Sequence, residues 1–242
     1  SRAISNWQYN ENVDVNDPAL GTADFERRHR ILANLAYRFE YADRFATSIG
    51  LIYEGLSGSP FSWIYFGDAN ADGQSFNDLV YVPESETDIV LDSENWALMD
   101  AFIESEPGLR KFRGGFAERN SDRDPWQNLL DLRINQEIAT VRGQRVEITA
   151  VVENVLNLLN DDWGRVQFSE FNNNNAWQFV GYVSEDDVGT ERGGRELTAE
   201  DVGKPIVSFN ESIVRDRLTG DFLNTDNIAS RWRLQLGVRY TF

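Results

Sequence analysis

The sequence predicts an all-β fold, namely a segment of an antiparallel transmembrane β-barrel with long extracellular loops. Runs of about ten residues alternate between apolar and polar side chains, which fits a tilted strand that crosses a membrane. The connections between these runs are either short or very long, as in outer-membrane barrels. No apolar run approaches the length of a transmembrane helix, and the 12% of aromatic residues would suit the two membrane interfaces.

The alternation defines five clear strands and a sixth, weaker one near the start of the chain. They lie near residues 3–10, 29–40, 45–57, 127–138, 144–157 and 231–242. The last strand shows the pattern best. Its apolar face consists of Trp232, Leu234, Leu236, Val238, Tyr240 and Phe242. Rings at both ends of an apolar face are typical of a strand that faces lipid, although a strand of a soluble sandwich has the same alternation.

The connections between the strands are asymmetric. Residues 40–44 and 139–144 form short turns, whereas residues 64–126 and 164–230 form long outer loops. The two long stretches hold 15 of the 17 net negative charges. Two interpretations stay open: these acidic loops are simply solvated, or they form an acidic outer surface that attracts divalent cations.

A short helix is predicted inside the first long loop, within residues 93–112. Trp96, Met99, Phe102 and Ile103 recur at helical spacing and would share one face. Asp92 or Ser93 would cap the helix, and Pro107-Gly108 would interrupt or end it.

The composition excludes several classes of function. A net charge of −17 argues against nucleic-acid binding, and the absence of cysteine excludes disulfides and thiolate catalysis. A single histidine, His29, excludes a histidine-cluster metal site. Since no pair of carboxylates or other catalytic set stands out, we do not expect an enzyme. The first ten residues lack the features of a signal peptide, so we expect that the chain is not the start of the gene product.

One motif in the first long loop indicates a metal site. Residues 68–73 read Asp-Ala-Asn-Ala-Asp-Gly, which is the first half of a calcium-binding loop. Oxygen atoms at alternate positions can converge on Ca²⁺, and the predicted ligands are Asp68, Asn70, Asp72, Gln74 and Asp78. The usual glutamate at the twelfth position is missing. The alternative is an Asx-rich turn that binds no metal.

Several motifs, taken in order, resemble one known family. They are His29–Ile31 with Tyr37–Phe39; Gly58–Ser62 with Gly67-Asp68, the Asp-Asn-Asp-Gly loop and Asn77–Pro83; Arg119-Asn120 through Trp126 with Leu130–Ile134; Glu153–Asn160 with Trp163-Gly164; and the C-terminal Arg239–Phe242. This set resembles the C-terminal part of a TonB-dependent outer-membrane receptor of the Oar-like group, which carries a carboxypeptidase-regulatory-like N-terminal domain. The terminal aromatic strand is similar to the signal read by the barrel-assembly machinery.

The resemblance implies ligand import across the bacterial outer membrane, with the long loops extracellular. Barrels of this kind have about 22 strands around a plug. The remaining strands and the plug would therefore come from elsewhere in the receptor, on the same or a separate chain, and the TonB complex would act through that missing part. Outer-membrane lipid would surround the wall.

The resemblance also gives the polar face of the strands a role. Five arginines would line the lumen, namely Arg133, Arg145, Arg231, Arg233 and Arg239. The alternative for these arginines is cross-strand pairing with Asp131, Glu137, Glu147 and Glu153. Two other functions stay open: a soluble, secreted β-sandwich that binds calcium and a glycan, and a passive porin-like or adhesion barrel without a plug.

Overall fold

The computed structural model describes residues 9–93, 95–169, 176–220 and 223–242. The structure is mostly β, with 40% strand and 16% helix. It divides into two compact units. We call residues 27–58, 125–168 and 224–242 the sheet unit, and residues 59–124 and 169–223, together with the segment that ends at Glu26, the inserted unit. Strands are numbered β1 to β17 and helices α1 to α4 in chain order.

The sheet unit is built on five long strands. They are β1 (Arg30–Tyr41), β2 (Phe45–Leu56), β9 (Gln127–Ala139), β10 (Arg145–Glu153) and β17 (Arg233–Thr241). They pair antiparallel in the order β1-β2-β9-β10-β17, and over the described residues the sheet is open and does not close into a barrel. Helix α3 (Val155–Leu159) follows β10, and β11 (Gln167–Phe168) pairs with β16 (Asn224–Thr225).

The register of the sheet gathers the apolar side chains on one face, because directly opposed residues of antiparallel strands share a face. Two complete rows across the five strands show this. One row consists of Leu35, Leu51, Leu132, Val152 and Leu234, and the next of Tyr37, Ile49, Ile134, Ala150 and Leu236. The opposite face carries the polar and charged side chains. A slip of one residue in any strand would invert its two faces, so the pattern fixes the register.

Two of the predicted strands need correction. The strand predicted over 144–157 ends at Glu153, because Asn154 adopts a left-handed conformation (φ 53°) and α3 begins at the next residue. Of the weak strand near 3–10, residues 3–8 lie outside the described residues, while Tyr9 and Asn10 belong to a turn and a bend. The other four predicted strands agree with β1, β2, β9 and β17 to within two residues at each end.

Over its described residues, the inserted unit contains short strands and three helices. The strands are β3 (Pro60–Phe61), β4 (Tyr65–Phe66), β5 (Tyr81–Val82), β6 (Val90–Leu91), β7 (Gly115–Phe116), β8 (Asp122–Arg123), β12 (Trp177–Tyr182), β13 (Glu191–Arg192), β14 (Arg195–Glu196) and β15 (Pro205–Phe209), and the helices are α1 (Trp96–Ser105), α2 (Pro107–Arg110) and α4 (Glu211–Thr219). The central pair, β12 and β15, is antiparallel, and β4 and β6 add to it in parallel. The stretches predicted as long loops therefore fold as a compact unit.

An aromatic core fills the inserted unit. Trp63 packs edge-on against Phe61 and Phe102, with ring centroids 5.2 and 5.5 Å away. The buried Arg217 lies 4.3 Å from the centre of the Trp63 ring and pairs with Glu106 at 2.9 Å. This core gives the unit its own hydrophobic interior.

Helix α1 confirms the helix predicted in the first long loop. Met99, Phe102 and Ile103 are buried, as their spacing predicts. The N-cap is Asn95 and not Asp92 or Ser93, and Pro107 opens α2. Among the described residues, no helix has both the length and the apolar character that a membrane crossing requires.

Candidate functional site

The sheet unit presents an extended apolar face across its five strands. On and beside the two edge strands its side chains are exposed over the described chain, and Leu35, Leu236 and Phe242 expose 67%, 69% and 94% of their surface. In the middle strands Leu51, Leu132 and Val152 are half-buried. Contiguous apolar patches on soluble monomers rarely exceed a few hundred Å² and mark interaction or membrane surfaces when they do. This face crosses all five strands.

Aromatic rings lie at the end of this face where the short turns are. Tyr37, Phe39, Tyr41 and Phe45 form a continuous series with ring centroids 5.5 to 6.0 Å apart. Tyr240 and Phe242 form a similar pair 6.0 Å apart at the same end of β17. Rings in these positions suit the boundary between hydrocarbon and headgroups.

A second group of rings lies at the opposite end of the face. The Tyr53 hydroxyl donates to Asn128 Oδ1 at 2.7 Å, and the Trp126 indole N–H donates to the same oxygen at 3.1 Å. Trp232 lies at this end of the last strand. Trp126 was missed by the sequence reasoning, although its parity with Asn128 and Leu130 assigns it to the apolar face. Leu, Ile, Val and Ala dominate between the two groups of rings.

The six residues predicted as an assembly signal lie together on the exposed apolar face, at and around β17. They are Trp232, Leu234, Leu236, Val238, Tyr240 and Phe242. Every second residue of this segment has its side chain on that face, as the alternation predicts. The structure does not show what reads these residues, so the assembly role stays a prediction.

On the polar face of the sheet, the five predicted lumen arginines form two groups. Arg233 pairs with Glu153 at 2.7 Å, and Arg239 lies 3.7 Å from Glu147, so these two make the cross-strand pairs that were the alternative. Arg133 lies between Gly50 and Val151 in register, and Arg145 between Ala139 and Thr241. Arg231 precedes β17 on the same face.

The predicted calcium loop is folded by its own carboxylates. Asp68 accepts the backbone N–H groups of Asp72 and Gly73, both at 3.0 Å. Asp72 accepts the N–H of Gln74 at 2.7 Å and the Asn77 side-chain amide at 2.9 Å. Gly73 has a φ of +86°, as its place in a sharp turn requires.

Asp78 closes this loop from within the inserted unit. It accepts the backbone N–H groups of Ala69 and Asn70, and burial raises the pKa of its carboxyl to about 6, with a smaller contribution from the neighbouring Asp72 and Asp68. Within the described ranges no three acidic or histidine side chains converge as a metal site would need. The observed bonds are those of an Asx-rich turn, and calcium binding stays a prediction.

The comparisons with known proteins add no function. No protein-family model, no curated protein and no solved structure matches the chain. The apolar face with its two groups of rings is therefore the feature that most directly suggests a function.

Proposed function

We propose that the sheet unit is part of the wall of a TonB-dependent outer-membrane receptor that imports a ligand, with its apolar face in lipid. The observation that carries this proposal is the exposed apolar face, which extends across five antiparallel strands and has rings at both ends. Each strand alternates between this face and a polar one, as expected for a wall between lipid and a lumen.

The dimensions of the face support the proposal. Trp232 and Tyr240 are eight residues apart on the last strand. At about 3.4 Å per residue and a tilt of about 40°, the rings lie roughly 20 Å apart along the membrane normal. The apolar band of outer-membrane barrels is about 25 Å tall, so the two groups of rings suit its two borders.

The arginine-bearing face would then line the lumen. Ion pairs such as Arg233 with Glu153 and Arg30 with Glu54 would brace it, while Arg133 would be available to a plug or an anionic ligand. Five strands are too few to close a barrel of this kind. The remaining strands and the plug would come from the rest of the receptor, on the same or a separate chain. The inserted unit, which holds most of the acidic residues, would be extracellular.

A soluble β-sandwich is favoured less. The apolar faces of two sandwich sheets interdigitate and exclude water, whereas the side chains of this face are half-buried to fully exposed in the described chain. A passive barrel without a plug would have the same wall. A plug in the complete receptor would indicate a transporter, and its absence would indicate a passive barrel.

The absence of cysteine allows a direct test of the lipid-facing assignment. We would place one nitroxide label at Leu236→Cys and, in a second variant, at Gln235→Cys on the other face, and measure both in membranes of the bacterium that makes the protein. We expect the label at position 236 to collide with oxygen and to be shielded from a water-soluble nickel complex, and the label at 235 to show the reverse preference. Equal accessibility to nickel at both positions would refute the proposal.

A further inference from the structure

A cavity of about 410 Å³ opens on the inserted unit and shares Ala69, Asn70 and Asp78 with the calcium-type turn described above. Five aromatic rings line it, namely Tyr65, Tyr81, Phe116, Phe179 and Tyr182. The volume lies within the range of pockets that hold small molecules, and an apolar lining with few polar groups is typical of them. Its walls come from separate parts of the chain, so the sequence pattern gave no sign of it.

The rings are arranged as two contacting groups. Phe179 lies 6.0 Å from Tyr65 and 5.0 Å from Tyr182, measured between ring centroids. Tyr81 packs edge-on against Phe116 at 5.5 Å. Tyr65 is buried, whereas Tyr182 exposes 56% of its surface and its hydroxyl donates to the carbonyl of Ala69 at 3.2 Å. The cavity thus has a buried aromatic base and a more open aromatic rim.

Asp78 is the acidic residue in this lining that is buried and incompletely paired. Only 2% of its surface is exposed. One carboxylate oxygen accepts two backbone N–H groups, and the other, Oδ1, has no donor among the described residues. A buried carboxylate that lacks part of its hydrogen bonds is only partly compensated, so its negative charge attracts a cation that enters the cavity beside it.

The other charged groups at the cavity are already engaged. Lys204 pairs with Asp201 at 2.9 Å. Asp88 accepts the backbone N–H groups of Glu84 and Ser85 at 2.8 and 3.2 Å. Asp68 and Asp72 lie close enough to Asp78 to act on it electrostatically, and they add negative potential. The lining therefore favours a cation over an anion.

We propose that this cavity binds a small organic cation, an alkylammonium group held between the rings and the carboxylate of Asp78. Ammonium groups are attracted to the faces of aromatic rings, and the attraction increases when both partners are shielded from water. The proposal goes beyond the function of the sheet and does not depend on it, because every group named here belongs to the inserted unit.

The test uses the full chain in detergent and three probes of similar shape: n-butylammonium, n-butanol and butyrate. We expect n-butylammonium to bind at least tenfold more tightly than n-butanol and butyrate in calorimetry. Asp78→Asn should remove this preference and leave the weak binding of n-butanol unchanged. A preference for butyrate, or equal binding of all three probes, would overturn the proposal.

A second variant keeps the test decisive if Asp78→Asn perturbs the fold. Tyr182→Leu removes a half-exposed ring at the rim and should weaken n-butylammonium binding about fivefold. Phe66→Leu, which removes a ring of the same unit outside the cavity, should leave it unchanged. Equal effects of the two substitutions would contradict the aromatic role. Millimolar Ca²⁺ should not displace n-butylammonium from the Asp78→Asn variant. If it did, the competition would not involve Asp78, and this would also count against the site. Labels on the sheet answer a separate question, so the two proposals can fail independently.

Discussion

The substitution Leu236→Arg tests whether the apolar face lies in lipid, because a charge in hydrocarbon lowers the free energy of unfolding. Leu236 lies four residues from both Trp232 and Tyr240, and its side chain is 69% exposed on the apolar face. Four residues at about 3.4 Å each, tilted by about 40°, place it roughly 10 Å from each ring along the membrane normal. In the proposed receptor wall it would therefore lie near the middle of the hydrocarbon layer, where the penalty for a charge is greatest.

An arginine at the midplane of such a barrel destabilises it by about 2–4 kcal/mol, which is roughly a 30- to 900-fold change in the folding equilibrium. The substitution Val238→Arg, closer to the ring of Tyr240, should cost less. The matched control is Gln235→Arg on the polar face, which should change the free energy of unfolding by less than about 0.5 kcal/mol.

Urea unfolding of the completed barrel in lipid vesicles measures these differences, as shifts of the midpoint at constant slope. If the face were in water, Leu236→Arg would be as mild as Gln235→Arg, because exposed surface positions tolerate charge. If the face were covered by protein, the cost would not fall from position 236 to position 238 with distance from the midplane. Either result would refute the reasoning from the strand geometry.

Three further predictions concern stability. Asn154→Ala should destabilise the sheet unit by about 2–3 kcal/mol in urea unfolding, because the buried amide donates to the carbonyls of Gly164 and Ser230 at 2.8 and 2.7 Å. Asn154→Gly, which adopts the left-handed backbone without strain, should destabilise the unit slightly less than Asn154→Ala. Arg217→Met should cost about 3–5 kcal/mol in thermal or urea unfolding by leaving Glu106 buried without its partner, and the double variant with Glu106→Gln should recover part of the loss; no recovery would argue against the pair. Bonds from Arg195, Thr198 and Lys204 lower the pKa of Asp201. Its contribution to stability is therefore complete above the ordinary aspartate pKa and declines as the pH falls from that value towards the lowered one. Asp201→Asn should reduce the melting temperature most at pH 7 and progressively less below about pH 4, and a pH-independent effect would contradict this.

The long strands were predictable because a period of two, sustained over nine to thirteen residues, leaves little ambiguity. Leu234, Leu236 and Val238 belong to one face by parity alone, before any partner strand is known. Helix α1 was predictable for the same kind of reason, since Met99, Phe102 and Ile103 repeat at helical spacing. The end of β10 was missed because the left-handed turn at Asn154 is held by bonds to Gly164, ten residues on, and to Ser230, 76 residues on.

The inserted unit was not predictable in detail. Most of its strands have two residues, and two residues carry no period. Its aromatic cavity joins Tyr65 and Tyr81 to Phe179 and Tyr182, which are about a hundred residues away, and only the tertiary fold brings them together. The motif at Asp68 was recognised, but its pattern is shared by metal loops and by Asx-rich turns. Sequence spacing cannot choose between the two, because the same oxygens serve either purpose.

The edges of the sheet give an independent argument for missing partners. All twelve residues of β1 and all nine of β17 are exposed, and within the described residues neither outer edge pairs with another strand. Soluble proteins protect such edges with proline, lysine, bulges or short strands, because unpaired backbone groups invite aggregation. These two edge strands contain neither proline nor lysine, and their pairing with β2 and β10 runs without a bulge. In lipid the same open edges would cost several kcal/mol for each unpaired group. Long, regular edges without proline or bulges are therefore consistent with the proposed receptor wall, in which further strands would pair there.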